Sequence, residues 1–120
     1  MYQKIIIIGN LGRDPELRFL PDGTPVTTFS VATSRKAGDK DEVCWFRVTV
    51  WNKQAESCNQ YLHKGSKVLV EGRLRPDESG NPAVFQRKDG SWGASYEVTA
   101  DAVKFLSGKA DEPADEDVPF

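Results

Sequence analysis

The stretch Cys44-Trp45-Phe46-Arg47-Val48-Thr49-Val50-Trp51 constrains the fold more than any other part of the chain. β-Branched and aromatic residues dominate it, which favours a strand. Side chains alternate between faces along a strand. One face then carries Cys44, Phe46, Val48 and Val50, an apolar set fit for a core. The other carries Trp45, Arg47, Thr49 and Trp51. Two indoles with a guanidinium between them make a poor ordinary solvent surface. They suit a flat, negatively charged ligand, because unpaired bases stack on aromatic rings and arginine pairs with phosphate or stacks as well. The alternative is a sheet packed on both faces, with the tryptophans in the core.

The rest of the chain supplies strands to accompany this one. Lys4–Ile8 is a continuous apolar run ending at Gly9-Asn10, as in a strand buried on both faces. Gly9 and Gly12 mark a bulge or bend of the kind a small barrel needs to close. Asp14-Pro15-Glu16 reads as a kink before a short segment at Leu17–Phe19, and Pro21-Asp22-Gly23-Thr24 as a turn. Val26–Thr33 is a second strand, joined to the Trp45 strand by the polar connection Ser34–Glu42.

After Trp51 the period changes. Ala55, Cys58, Tyr61 and Leu62 share one helical face, starting at Asn52 or Lys53 and capped by Gly65. Lys67–Arg75 returns to strand, with a bend at Gly72. Residues 76–93 form an extended arm. Asp89-Gly90 there predicts a type I′ hairpin turn. The arm's aromatics, Phe85 and Trp92, alternate with cations and either meet a ligand or pack on each other across the hairpin. Tyr96–Leu106 is the last strand. Five strands, one helix between the third and fourth, and repeated strand glycines predict an all-β fold, the five-stranded Greek-key OB-fold barrel. Another small α+β roll is the second choice.

At 120 residues and 38% hydrophobic composition the chain has one domain's length and one small core. We divide it into a barrel domain, 1–106, and a tail, 107–120, whose Ser, Gly, Lys, Ala, Asp, Glu and Pro composition predicts disorder. Charge follows the same division. Five of the 18 acids, Asp111, Glu112, Asp115, Glu116 and Asp117, fall in the last ten positions, leaving 16 bases against 13 acids elsewhere. A mildly basic body and an acidic tail predict two kinds of partner.

Enzymatic function is not expected. No metal-ligand cluster, HExxH, P-loop or nucleophile–base pair is present in the sequence, so neither a metal nor another cofactor is predicted. The single His63 reads as a surface residue at a helix end. Cys44 and Cys58 are not a CxxC pair and read as reduced cytosolic thiols, a disulfide staying open. No apolar run of about 18 residues exists to cross a membrane. No signal peptide is evident, and a cytoplasmic, nucleoid-associated location is expected.

Several stretches resemble the bacterial single-stranded DNA-binding protein family. Gly9-Asn10-Leu11-Gly12-Arg13-Asp14-Pro15-Glu16 is similar to its first-strand signature, and Cys44–Lys53 to its third strand. Tyr61–Val68 and Glu71-Gly72-Arg73-Leu74-Arg75 resemble its helix end and fourth strand. The similarity runs over residues 3–75 and, at the acidic tail, includes a terminal Pro119-Phe120.

The resemblance implies that Trp45 and Trp51 stack bases, Trp51 standing where Phe is common, and that Arg47, Lys53, Lys4 and Arg18 contact the nucleic acid. Arg35, Lys36, Arg73, Arg75, Arg87 and Lys88 complete the expected basic groove. It also implies a homotetramer that protects single-stranded DNA in replication, recombination and repair, and that recruits partner enzymes through Asp115, Glu116, Asp117, Val118, Pro119 and Phe120. In that tip the Phe120 ring and terminal carboxylate would dock together. An RNA-binding or replication-restart OB protein is the alternative.

The chain departs from the family in three places. The 34–42 connection has no Trp, Arg75 is followed by Pro76-Asp77 where a basic, Trp-containing arm is usual, and only about ten residues separate barrel from tip. We therefore expect Phe85 and Trp92 to take over stacking in the arm.

Overall fold

The computed structural model describes residues 1–106. Its elements are β1 (Ile5–Leu11), β2 (Glu16–Phe19), β3 (Pro25–Ala37), β4 (Lys40–Trp51), α1 (Asn52–Tyr61), β5 (Lys67–Leu74), β6 (Ala83–Gln86) and β7 (Trp92–Phe105). Strands run in the order β1-β5-β7-β4-β3-β2, and β1 also pairs with β3. That extra pairing closes five strands, β1, β3, β4, β5 and β7, into a barrel. β4 and β7 run parallel, while the other neighbours are antiparallel. The architecture is the OB-fold expected from the strand count and the position of the helix. The short strands β2 and β6 lie outside the closed ring.

Closure depends on two crowded points. β1 leaves β5 for β3 at Asn10 and Leu11, and a Cβ on Gly9 would collide with the Ala32 carbonyl. The register of β5 against β7 shifts between Glu71 and Gly72, and a Cβ on Gly72 would strike the Thr99 carbonyl. Gly72 therefore sits at the predicted bend, realised as a bulge.

The core consists of Ile7, Leu11, Phe29, Val31, Val48, Val50, Val68, Val70, Val98 and Ala100, with Cys58 and Leu62 from α1 and the turn after it. Asn52 takes φ +60 and turns the chain from β4 straight into α1, a conformation Asn accepts more readily than most residues. The Thr27 hydroxyl donates to the Ala55 carbonyl at 2.6 Å, and the Val103 N–H donates to Gln54 Oε1 at 2.8 Å, so the helix is tied to two barrel strands. Burial pushes the Cys58 thiol up to about 11. Both cysteines are free.

Five expectations need correction. The helix ends at Tyr61 with Leu62 as its cap, so Gly65 (φ +92) is a turn residue and not the C-cap. Tyr61 leaves the buried face and rests against Phe105, ring centroids 6.1 Å apart. The 34–42 connection is not a loop, since β3 and β4 stay paired out to Ala37 and Lys40 around Gly38-Asp39. β1 is not buried on both faces: Ile6 and Ile8 are 59% and 51% exposed because no described residue covers that side. The last strand starts at Trp92, not Tyr96, because β7 runs unbroken from the arm into the barrel.

Candidate nucleic-acid interface

The alternation read from the Trp45 strand survives in the barrel half of β4. Val48 and Val50 are fully buried, while Trp45 and Trp51 are 53% and 38% exposed. Thr49 departs from it, being buried on the outward side between Thr28 of β3 and Thr99 of β7. Cys44 and Phe46 are only half-buried, because the first half of β4 runs past the barrel end.

Registers show what shares the outer side with the tryptophans, since cross-strand partners lie on the same face. Trp45, Arg47, Thr49 and Trp51 pair with Ala32, Ser30, Thr28 and Val26. Val26 in turn pairs with Arg18, Arg47 with Glu97, and Thr99 with Arg73. One surface thus gathers Arg18, Trp45, Arg47, Trp51 and Arg73. Arg75 joins it, its N–H donating to the Glu97 carbonyl at 2.8 Å.

Two cavities open on this surface. One, of about 310 Å³, is lined by Arg18, Arg47 and Arg75 with Thr49, Pro76, Ala83 and the acids Asp77 and Glu97. Three guanidiniums around one hollow are arranged for a phosphate. The other, of about 470 Å³, has Trp45 and Phe85 among its walls, and Ser30, Arg47, Ser95 and Glu97 as its polar residues. Arg47 and Glu97 border both hollows, 3.8 Å apart. An aromatic slot beside a guanidinium hollow matches the base and phosphate of one nucleotide.

Gly12 sets the position of one wall. A Cβ there would lie 2.6 and 2.7 Å from two carbons of the Trp45 ring, so the indole rests on bare backbone. The sequence marked Gly12 only as a bend. Glu97 was missed altogether. Its signal was an acid between Tyr96 and Val98 in a strand, which has no meaning until the register sets it opposite Arg47.

The arm corrects the expected partnership of Phe85 and Trp92. Gly90 N–H donates to the Arg87 carbonyl at 2.9 Å and Arg87 N–H to the Ser91 carbonyl at 2.7 Å. This is a three-residue loop with only Gly90 in the left-handed region (φ +93), whereas type I′ needs positive φ at both central residues. The Asp89 carboxylate fixes the loop by accepting from the Ser91 hydroxyl (2.7 Å) and N–H (2.9 Å), and these bonds hold its carboxyl below the ordinary range. The resulting register pairs Phe85 with Gly93 and Gln86 with Trp92. Phe85 therefore lies on the Ser95–Glu97 side facing Trp45, and Trp92 on the opposite side. A two-residue turn at Asp89-Gly90 would have slipped the register by one and put both rings on one face. Nor do they pack on each other. Phe85 instead carries the Arg87 guanidinium 5.4 Å from its centroid, and Arg87 Nη1 donates to the Trp92 carbonyl at 2.8 Å.

The remaining predicted residues lie away from the slot. Arg35 is on the far side of its hairpin, pairing with Glu42 at 3.4 Å, while Lys36 falls on the Trp45 side of the pleat. Lys4 pairs with Glu71 at 3.7 Å and borders a separate hollow with Arg73. Lys53 is exposed in the first turn of α1, and Lys88 is in the arm loop. Asp115, Glu116, Asp117, Val118, Pro119 and Phe120 lie outside the described residues.

Barrel and face together define a protein of the oligonucleotide-binding fold. The chain belongs to the single-strand binding protein family, whose model matches residues 2–106. It is 40% identical to the single-stranded DNA-binding protein of Helicobacter hepaticus over 125 aligned positions, covering all of this chain and 68% of that protein. It is 40% identical to the protein of that name from Neisseria meningitidis (88% of this chain, 60% of the other) and 36% to that from Helicobacter pylori (94% and 63%). The chain thus spans about two thirds or less of the length of most of these relatives. Among the described residues no helix is long and apolar enough to cross a membrane.

Proposed function

We propose that this protein binds single-stranded DNA without strong dependence on sequence. The observation that carries the reading is the shared face, with exposed Trp45 and Trp51 flanking Arg47 beside the hollow of Arg18, Arg47 and Arg75. Duplex DNA hides its base faces, so such a surface favours unpaired strands. Trp51, Lys53, Lys36 and Arg73 would extend the track away from the slot, with Lys4, Arg35, Arg87 and Lys88 at its margins.

The test is titration of tryptophan fluorescence with oligo-dT, duplex DNA and RNA. Quenching by oligo-dT with clear preference over duplex is expected. Equal binding to duplex would sink the reading, and preference for RNA would favour the alternative OB class.

Binding would serve replication, recombination and repair in the cytoplasm, with partner enzymes recruited by the acidic tail and its Val118-Pro119-Phe120 tip. Removal of residues 113–120 is expected to abolish pull-down of such enzymes while leaving oligo-dT binding equal or tighter. Unchanged pull-down would reject the role of the tip. Assembly as a homotetramer is supported by β1. Ile5–Gly9 pair only with β5 among the described residues, and Ile6 and Ile8 face outward. Light scattering decides it, and a monomeric mass would refute it.

A further inference from the structure

The slot between Trp45 and Phe85 ends on a carboxylate, an unusual group for a surface that attracts phosphate. The Glu97 side chain is only 11% exposed. Its Oε2 accepts from the Ser95 hydroxyl at 2.5 Å and faces Arg47 at 3.8 Å. Its Oε1 takes no hydrogen bond from any described residue. No buried side-chain oxygen or nitrogen among the described residues lacks a partner, so Oε1 is open to solvent, on a residue that borders the slot. Arg47 and Ser95 hold the carboxylate from one side and leave the other for a ligand.

We propose that Glu97 reads the edge of the base in this slot and gives the protein a preference there for bases that present an amino group, guanine foremost. The inference rests on the single-strand reading above. A carboxylate only accepts hydrogen bonds. Guanine offers N1–H and the 2-amino group side by side, matching both oxygens of a carboxylate or one oxygen twice. Cytosine and adenine offer a single exocyclic amine. Thymine offers N3–H between two carbonyl oxygens, which face the carboxylate with like partial charge. Bases in single strands expose this edge, so it is open to a carboxylate. The backbone phosphate goes to the neighbouring hollow, where Arg18 and Arg75 join Arg47 against the acids Glu97 and Asp77. Arg47 lies between the two and neutralises Glu97 in the free protein.

The experiment uses the full chain and three oligonucleotides of equal length: oligo-dT, and oligo-dT with guanine or with hypoxanthine (inosine) at the same interspersed positions. Guanine and hypoxanthine stack alike but differ in the 2-amino group. Competition titrations should show the guanine strand bound about fivefold or more tighter than the hypoxanthine strand, the lower end for one bidentate base pairing. Glu97→Gln should bring that ratio close to one, wherever its overall affinity settles. Phe85→Ala, which opens the slot wall, should shrink the ratio as well, so a poorly folding Glu97 variant does not remove the test. A wild-type ratio near one, with oligo-dT still bound, overturns the role of Glu97 and leaves the function standing. A ratio that persists in Glu97→Gln also overturns it. Failure to bind any of the three strands rejects the function itself.

Discussion

The barrel stretch of β4 and the arm hairpin look alike as sequence and behave differently as structure. Each alternates aromatic rings with cations: Trp45-Phe46-Arg47 in one, Phe85-Gln86-Arg87 and Trp92 in the other. Behind β4 lies a closed barrel. Its even side chains are drawn inward by burial, so its odd ones share an outer face whatever its loops do. No core lies behind the arm. Its faces are set by pairing alone, and pairing is set by a three-residue loop. Burial thus fixes direction redundantly in the barrel, whereas the arm rests on a single local choice.

The largest effect expected from this contrast is on the barrel. Trp45→Ala should weaken oligo-dT binding by about 1–3 kcal/mol, the range for one stacked base, and Trp51→Ala by an amount in the same range. Normal binding by both, measured on folded and assembled protein, would break the assignment of the face. Gly12→Ala should come next. Its methyl group displaces the Trp45 ring, so affinity falls by part of the Trp45→Ala loss and indole emission shifts, while the melting temperature changes little. If emission and affinity stay put, the ring does not depend on resting against Gly12.

The arm should divide. Phe85→Ala is expected to lower affinity by about 1 kcal/mol, the low end for a stacking ring, and Trp92→Ala to leave it unchanged. Equal losses from both would mean that the strand wraps the hairpin, and the contrast between faces would lose its meaning. Arg47→Ala should make the salt dependence shallower by about 0.7 in log–log slope for each phosphate that is no longer neutralised. A slope identical to wild type would place the phosphate elsewhere.

The smallest effect concerns pH. The Asp89 carboxyl is held below its ordinary value by bonds that exist only in the folded loop. Its contribution is present above the unfolded value and is lost as pH falls through the folded one. Acidification should therefore loosen the Gly90 and Ser91 amides, seen by NMR, before the Val48 amide changes. In Asp89→Asn that early step should be missing; if it remains, another group drives it.

How far the sequence could be read follows the same line. The strand faces of 44–51 were legible where a core enforces them, at Val48, Val50, Trp45 and Trp51. The helix was legible from Ala55 and Cys58, and the bulge from Gly72. Ile6 and Ile8 were misread because a run of four isoleucines does not say how many sides will be covered. The turn of the arm was misread because Asp-Gly is compatible with two loop lengths, and the Asp89–Ser91 bonds that choose between them act through space. Glu97 needed the parallel pairing of β4 with β7, which joins residues fifty positions apart.

The loop of the arm is not built alone. Leu20–Thr24 and Asp77–Asn81 close in the same manner, each with a glycine N–H donating three residues back and a positive φ at Gly23 or Gly80. Seen as inheritance, a loop of this kind is a selector. A substitution that favours a two-residue turn would shift the pairing by one step and exchange the two surfaces of a strand without altering any residue in that strand. A lineage could in this way move a ring such as Trp92 into the slot, or retire Phe85 from it, in one event. Arms that differ widely in sequence between relatives could then reach similar surfaces by changing how their loops count.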